Sequence, residues 1–530
     1  MKTKFRILLS VITFFAGLAL LFAALALPLR LAAQDKQNRN NGNQHHHYQL
    51  IDLGTFGGPN SSVASGFFES AQSISDQGAV TGTADTSIPD PLCYFDDCFY
   101  PNAFQWRDGT LTDLGALSGT LYSAANWISR NGRLIAGQSE NGQTDPVTGF
   151  PAEDGVLWQD GQITDLGTLS GGYESDAFAV NNHGQVAGGS TNGTADPFSI
   201  YYFGIFGIST GGQTRAFVWD KHNGLQDLGT LGGPDALATL INERGQIAGV
   251  SYTSSTPNAN NGPCTPNVPT QDPFLWEKGA GGMTDIGTFG GTCGQPDAIN
   301  NRGQVVGLSY LAGNLTYHPF LWDKRDNPPL TDLGTFGGDN GVANWINDSR
   351  EVAGSGDFPG NQIHHAFLWK NGVMTDLGTV GTDPCSRASA INSKGQIVGG
   401  SSDCTTFLHA YLWENGGPMI DLNTLVAPGS GLTLTLALYI NDRGEIAGNG
   451  VLANGDTHAF VLIPCGEGHE GCEGENPTGV THISPTSVAQ RPAAATPANQ
   501  TLSGRGMMDR LRSRWGQRYQ LPGRAFGPKD

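Results

Sequence analysis

One half-unit, Asp-Leu-Gly-Thr-Leu/Phe-Gly-Gly, recurs along the chain, with its acid at Asp52, Asp113, Asp165, Asp227, Asp285, Asp332, Asp376 and Asp421. The repeat region opens on this half-unit alone, at residues 48–54. It closes on the complementary half alone, at 458–463. A repeat cut in this way predicts a ring in which the two ends together complete one unit. No other feature narrows the choice of fold as much.

The unit is clearest in the fifth repeat. Residues 298–307 read as strand, tight turn, strand, with Asn300 and Gly303 as turn residues that accept positive φ. Pro319-Phe320-Leu321-Trp322 gives a third strand, and residues 330–336 give a fourth. Four short strands in about 45 residues is the signature of a propeller blade. The 76 glycines therefore punctuate strands rather than mark low complexity. The predicted fold class is all-β: a closed β-propeller of eight four-stranded blades, the N-terminal strand completing the last blade. In the sixth repeat Arg350 stands where the others place the turn glycine, so that turn must either strain or change. Trp106, Trp158, Trp219, Trp276, Trp322, Trp369 and Trp413 share one place in successive repeats, and an aromatic repeated so regularly belongs to the core.

The expected domain organisation has four parts. Residues 1–33 read as a signal peptide, with Lys2, Lys4 and Arg6 ahead of an apolar run, so the mature chain should start between Leu27 and Asp35. An uncleaved anchor is the alternative, since the run is long enough to span a bilayer. Residues 34–47 read as a polar linker, 48–465 as the eight repeats, and 466–530 as a disordered Pro-rich and then basic tail. Net charge is −19; residues 1–39 and 501–530 each carry +5, so the body between them carries −29. Such an acidic body argues against nucleic acid as a partner. It suits a secreted, periplasmic or cell-surface monomer with no membrane span after cleavage.

Eight cysteines in an exported chain point to disulfides, and sequence neighbours suggest Cys93 with Cys98, Cys264 with Cys293, Cys385 with Cys404, and Cys465 with Cys472. Spacing alone leaves the connectivity open.

His365-Ala366-Phe367-Leu368-Trp369, with relatives at His409-Ala410-Tyr411 and His458-Ala459-Phe460, resembles the motif of the HAF-repeat proteins, a bacterial family. The resemblance covers residues 48–464. It implies secretion and a repeat architecture but no established activity, so it assigns no catalytic residue. The first four units depart from it, with Asn102, Asp154, Arg215 and Asp272 in place of His.

Strand direction alternates, so the loop between second and third strands opens on the same face as the crossovers. The long insertions, 83–102, 138–154, 190–215 and 251–272, all fall in that loop, in the first four repeats. Insertions gathered on one face of an array often mark its binding face. Candidate ligand-binding residues there are Tyr94, Asp96, Asp97, Tyr100, Tyr201 and Tyr202, aromatics beside carboxylates that suit sugar rings or a cation. The competing account is an apolar roof over the propeller mouth, to which the run 198–206 would contribute.

No phosphate loop, Gly-x-Ser-x-Gly elbow or His-Glu-x-x-His motif is present, so no catalytic or metal residue is assigned and the chain is expected not to be an enzyme. No cofactor is implied, although calcium is compatible with the acidic loops. Each repeated Asp is expected to cap backbone groups in its own blade. His318, His365, His409 and His458 lie on third strands too far apart to share a metal. The expected function is binding or scaffolding of a glycan, peptide or protein. The alternatives are a propeller-type glycan hydrolase or lyase, and a purely structural envelope protein.

Overall fold

The computed structural model describes residues 47–63, 71–91, 98–146, 151–199, 211–258, 268–465 and 481–483. The chain divides into two compact units, Met1–His47 and Tyr48–Asp530. Of the first only His47 is described, so the expected signal peptide and linker lie outside the described residues.

The second unit is all-β, with one short 3-10 turn at Leu422–Thr424 as its only helical element among the described residues. Its strands form successive four-stranded antiparallel sheets. Numbered in chain order, sheet one spans 57–113, two 123–165, three 175–227, four 236–285, five 290–332, six 341–376 and seven 385–421. The eighth holds Leu432–Ile440, Ile446–Leu452 and Thr457–Pro464, and its fourth strand is Tyr48–Asp52. That strand runs antiparallel to Thr457–Pro464 with Tyr48 opposite Pro464 and Asp52 opposite Phe460. The split unit of the sequence is thus joined in space. Sheets four and five also touch through one parallel bridge, Gln271 to Cys293. Within the segment expected as a tail, Thr481–Ile483 pairs in parallel with Thr110–Thr112 and adds a fifth strand to sheet one. No helix among the described residues is long and apolar enough to cross a membrane.

The turn between first and second strands explains the recurring Asn. Asn300 Oδ1 accepts from the backbone N–H of Arg302 and Gln304, both at 3.0 Å, which closes the local turn. Its Nδ2 then reaches sheet six and donates to the Asn347 carbonyl at 3.0 Å. The same arm links Asn181 to Asn242, Asn242 to Asn300, Asn347 to Asn392, Asn392 to Asn441, and Asn441 to Ser75 of sheet one. Ser75 and Ser129 replace Asn in sheets one and two. There the link is Asp76 N–H to the Arg130 carbonyl, followed by Asn131 N–H to Asn182 Oδ1. Hydrogen bonds therefore pass from sheet to sheet and return from the eighth to the first.

Arg350 keeps the turn that glycine makes elsewhere. It adopts φ 65°, and its N–H still bonds the Asn347 carbonyl at 3.1 Å. A left-handed non-glycine residue is strained. Its guanidinium offsets that cost by pairing with Asp326 and, at 3.3 Å, with Asp323.

Third-strand aromatics fill the core. Phe104, Phe217, Phe274, Phe320, Phe367, Tyr411 and Phe460 are fully buried, each contributing ~1.5–3 kcal/mol by removal from water. Five of the seven repeated tryptophans are also buried, and Trp219 and Trp276 pack against the core half-buried. This matches their expected structural role.

Cys385 and Cys404 form a disulfide with Cα atoms 5.0 Å apart. Cys98, Cys293 and Cys465 are disulfide-bonded as well. The cysteines expected opposite them, Cys93, Cys264 and Cys472, lie outside the described residues. The Cys385–Cys404 bond closes a segment of 19 residues, for which chain entropy gives ~3 kcal/mol. Replacing both residues by Ser should lower the unfolding free energy by about that amount in a urea titration. An unchanged midpoint would show that the bond contributes nothing to stability.

Candidate functional site

The insertions differ from the plain loops that the sequence suggested. In sheets one to three much of each continues the second and third strands as a long hairpin, pairing Asp85 with Pro101, Thr144 with Pro151, and Asp196 with Gly211. A β-bulge or register shift interrupts each hairpin, as between Thr191 and Ala195. Their polar residues hid them from a search for apolar strands, and at the bulge of 191–194 Gly193 takes a positive φ of 73°.

Of the candidate ligand residues, Tyr94, Asp96, Asp97, Tyr201 and Tyr202 lie outside the described residues. Tyr100 lies on the strand Phe99–Arg107. Its phenol is pushed up to about 12, by burial first and then by the carboxylates of Asp90 and Glu140. Tyr100 lies near Asp90 of its own hairpin and Glu140 of sheet two, whereas the acids paired with it from the sequence, Asp96 and Asp97, lie outside the described residues. Of the apolar run at 198–206, Phe198 packs on Phe178, Leu237, Val250, Tyr252 and Val268, a small apolar cluster on that side of sheets three and four.

A group of acids missed in the sequence gathers beside these hairpins. Desolvation holds the Glu153 carboxyl well above the usual carboxylate range, and Asp176, Glu174 and Glu140 push it further in the same direction. These residues come from the third strand of sheet two, the entry to sheet three and the second strand of sheet two, so nothing in their spacing revealed the cluster. A carboxyl held high by burial and neighbouring acids can, when it carries its proton, both donate to and accept from a ligand hydroxyl.

The repeated Asp caps its own crossover, as expected. Oδ1 of Asp52, Asp113, Asp165, Asp227, Asp285, Asp332 and Asp376 accepts from the N–H two residues on, at 2.8–2.9 Å. The structure adds a second role that the sequence did not reveal. The Asp lies opposite the buried third-strand residue, and the side chain two positions before that residue reaches it. His318 Nδ1 meets Asp332 at 2.8 Å, His365 meets Asp376 at 2.9 Å, and His458 meets Asp52 at 2.8 Å. Arg215 meets Asp227 at 3.1 Å, and Asn102 meets Asp113 at 3.1 Å. The His of the tripeptide is therefore a partner for the Asp of the other half-unit. His409 departs and pairs with Asp383, leaving Asp421 to Asn423.

In sheets two and four this partner is itself an acid. Asp154 is pushed up to about 6, by burial first, with Asp165 opposite and Asn141 opposing the shift. Asp272 is pushed up to about 7, again by burial first and then by Asp285. A carboxyl whose folded-state pKa is raised adds stability at pH values below its unfolded pKa, and that stability is lost as pH rises through the folded value. For Asp154 the loss should run from about pH 4 to pH 6. Asp154→Asn, which copies the Asn102–Asp113 pair, should therefore gain ~1–2 kcal/mol over the parent at pH 8 and nothing at pH 4. Urea midpoints at the two pH values test this, and equal differences at both would refute it.

On the opposite face a cavity of about 120 Å³ is lined by residues from all eight sheets. Trp127 of sheet two and Trp345 of sheet six stack at 6.4 Å, and Tyr439 of sheet eight meets Trp345 edge-on at 5.0 Å. Arg130 bridges Asp76 at 3.2 Å and Asp442 at 3.8 Å. The shared Asn-Trp-Ile of 126–128 and 344–346 was the available signal for the stacked pair. Glu243 and Asp442 each accept a backbone N–H from the preceding sheet, so their carboxylates serve the links between sheets.

No family model matches the chain, and no curated protein is significantly similar in sequence. Sqt1 of Chaetomium thermophilum aligns with 80% of this chain and 100% of its own at 11% identity, with a TM-score of 0.40. The acylaminoacyl peptidase of Pyrococcus horikoshii aligns with 74% of this chain at 8% identity and a TM-score of 0.39. Dipeptidyl peptidase 4 of Porphyromonas gingivalis aligns with 76% at 10% identity and a TM-score of 0.40. The chain spans 57% and 59% of the two peptidases. Scores this low carry no inference about activity.

Proposed function

We propose that residues 48–464 close into an eight-bladed β-propeller of the HAF-repeat type, exported from the cytoplasm, that binds a glycan, peptide or protein on the face carrying the insertions of sheets one to four. Closure is supported by the return of the inter-sheet hydrogen bonds from Asn441 to Ser75. The binding reading rests on one observation above the rest. The extended hairpins stand in sheets one to three, whereas sheets five to eight carry short connections at the same place. A specific ligand needs an asymmetric surface, and this is where the repeat's symmetry breaks. The half-buried Glu140, Glu153 and Tyr100 at these hairpins are groups that recognise hydroxyls, while Glu174 and Asp176 lie buried beneath them.

A glycan array and a polysaccharide-degradation screen on the same purified protein test the reading. Binding without degradation is the expected outcome, lost on removing the hairpin tip, residues 90–98, or on replacing Tyr201 and Tyr202 by Ala, with the melting temperature held within a few degrees. Binding that survives both changes while melting falls would make the hairpins a roof rather than a site. The raised Glu153 carboxyl favours one second reading, a glycan hydrolase or lyase using it as proton donor. Degradation abolished by Glu153→Gln would establish that instead.

A further inference from the structure

We propose that a cavity at the seam between sheets eight and one, on the face of the tight turns, binds a single neutral sugar ring. The cavity lies where the repeat fails at one position. In sheets four to seven the residue after the repeated Trp is polar, and it bonds the side chain just before the second strand. Glu277 pairs with Gln246, Asp323 with Gln304 at 2.8 Å, Lys370 with Glu351 at 2.6 Å, and Glu414 with Gln396 at 2.8 Å. Ile446 lies opposite Leu462 as Val305 lies opposite Trp322, so Ile463 of sheet eight stands where the others place that polar residue. Ile463 has nothing to offer Glu445, which takes the Arg443 guanidinium instead, with Nε at 3.1 Å. Beside this unmade contact lies a cavity of about 300 Å³.

Its lining is mixed in a way that selects a ligand. Trp106, Ile51 and Ile463 supply the apolar part. Trp106 is 3% exposed, and its Nε1 is buried with no hydrogen-bond partner among the described residues. Gln49 and Asp108 also line the cavity, and neither side chain has a partner among the described residues. Arg443 spends Nε and Nη2 on Glu445 and keeps Nη1. That ion pair is held in place by the sheet-one turn: a Cβ at Gly78 would lie 2.6 Å from the guanidinium and 2.8 Å from the carboxylate. Arg443 and Glu445 cancel, so Asp108 leaves one negative charge, which disfavours an anion. A cation would find Asp108 alone and stand against Arg443. A sugar hydroxyl both donates and accepts. It matches the Gln49 amide, which does both, the Asp108 acceptor, and the donors of Arg443 and Trp106. The C–H face of the ring matches the apolar wall. A cavity of this volume is at the small end of ligand pockets and takes one ring rather than a chain.

The test is saturation-transfer NMR on the full chain with the methyl pyranosides of glucose, galactose and mannose. One of the three should bind, with a dissociation constant on the order of 1 mM for so few contacts. Two variants locate the binding. Gln49→Ala combined with Asp108→Gly, which suits the left-handed φ of 48° at that turn, should weaken it by about tenfold. Ile463→Gln, which offers Glu445 the amide partner found in sheet seven, should close the cavity and abolish the signal while the melting temperature stays level or rises. Loss of binding there is not loss of fold. Undiminished binding by either variant overturns the proposal, as does no binding of any of the three sugars by the parent at ~20 mM, about twentyfold above the expected constant. Removing residues 90–98 must leave the signal unchanged. A signal lost with that hairpin tip places the sugar on the other face and overturns the seam site, whereas failure at the seam leaves the hairpin reading to its own test.

Discussion

A chain that starts at Thr55, lacking the strand Tyr48–Asp52, is expected to lose its cooperative unfolding transition. That strand buries Tyr48 and Ile51 and leads into the fully buried Leu53. It also covers the outer edge of Thr457–Pro464 along five residue pairs. At ~1.5–3 kcal/mol per buried apolar side chain the loss is about 5–8 kcal/mol. That is comparable with the whole stability of an ordinary domain, about 5–15 kcal/mol. An unpaired edge would then be exposed and prone to aggregation. The decisive control is a transplant. Because Tyr48 pairs with Pro464, the same five residues placed after Pro464 through an Asn-Gly turn should re-form the strand in its native direction. Circular dichroism melts and limited proteolysis should show the truncated chain unfolded and the transplant restored. A truncated chain that melts like the parent would mean that this strand does not hold the eighth sheet.

The strands were legible because their pattern is local: an apolar residue at every second position, a turn residue at each end, and a unit repeated until chance is excluded. The turn at Asn300 was legible for the same reason. Its second arm, Nδ2 to the next sheet, was not, since any Asn in a turn satisfies the local pattern whether or not a neighbour waits beyond it. Arg350 shows the limit from the other side. The sequence shows that a glycine is missing, but only the positions of Asp323 and Asp326 show why the turn survives. His365 and Asp376 are 11 residues apart, yet His458 and Asp52 are 406 apart, so one kind of pair looks local in one sheet and remote in another. The hairpins of sheets one to three read as loops in the sequence, because polar residues interrupt their alternation. The acids around Glu153 come from separate strands, and no spacing rule brings such residues together in advance.

The recurring glycine of the second strand, by contrast, is written into every repeat, and its reason is space rather than backbone freedom. A β-bulge between Ala343 and Trp345 shifts the first strand of sheet six against the second. A Cβ at Gly354 would then lie 2.0 Å from the Val342 carbonyl oxygen, 2.7 Å from Phe367 Cζ and 2.9 Å from Ala343 Cα. The aromatic ring could turn aside, but the carbonyl belongs to a strand paired on that side and cannot. Gly354→Ala should therefore cost ~3 kcal/mol, at the upper end for overpacking. Phe367→Leu should not recover that loss, because the limiting contact is with backbone. Gly356, two residues along the same strand, meets nothing closer than 3.6 Å, so Gly356→Ala should be neutral or gain slightly through the unfolded chain. The pair is matched in chemistry, strand and sheet face, and differs only in the approach of the bulged strand. Urea unfolding of the two variants separates the accounts: a large loss at Gly354 beside none at Gly356 supports steric exclusion, whereas equal losses would mean that both glycines serve strand flexibility instead.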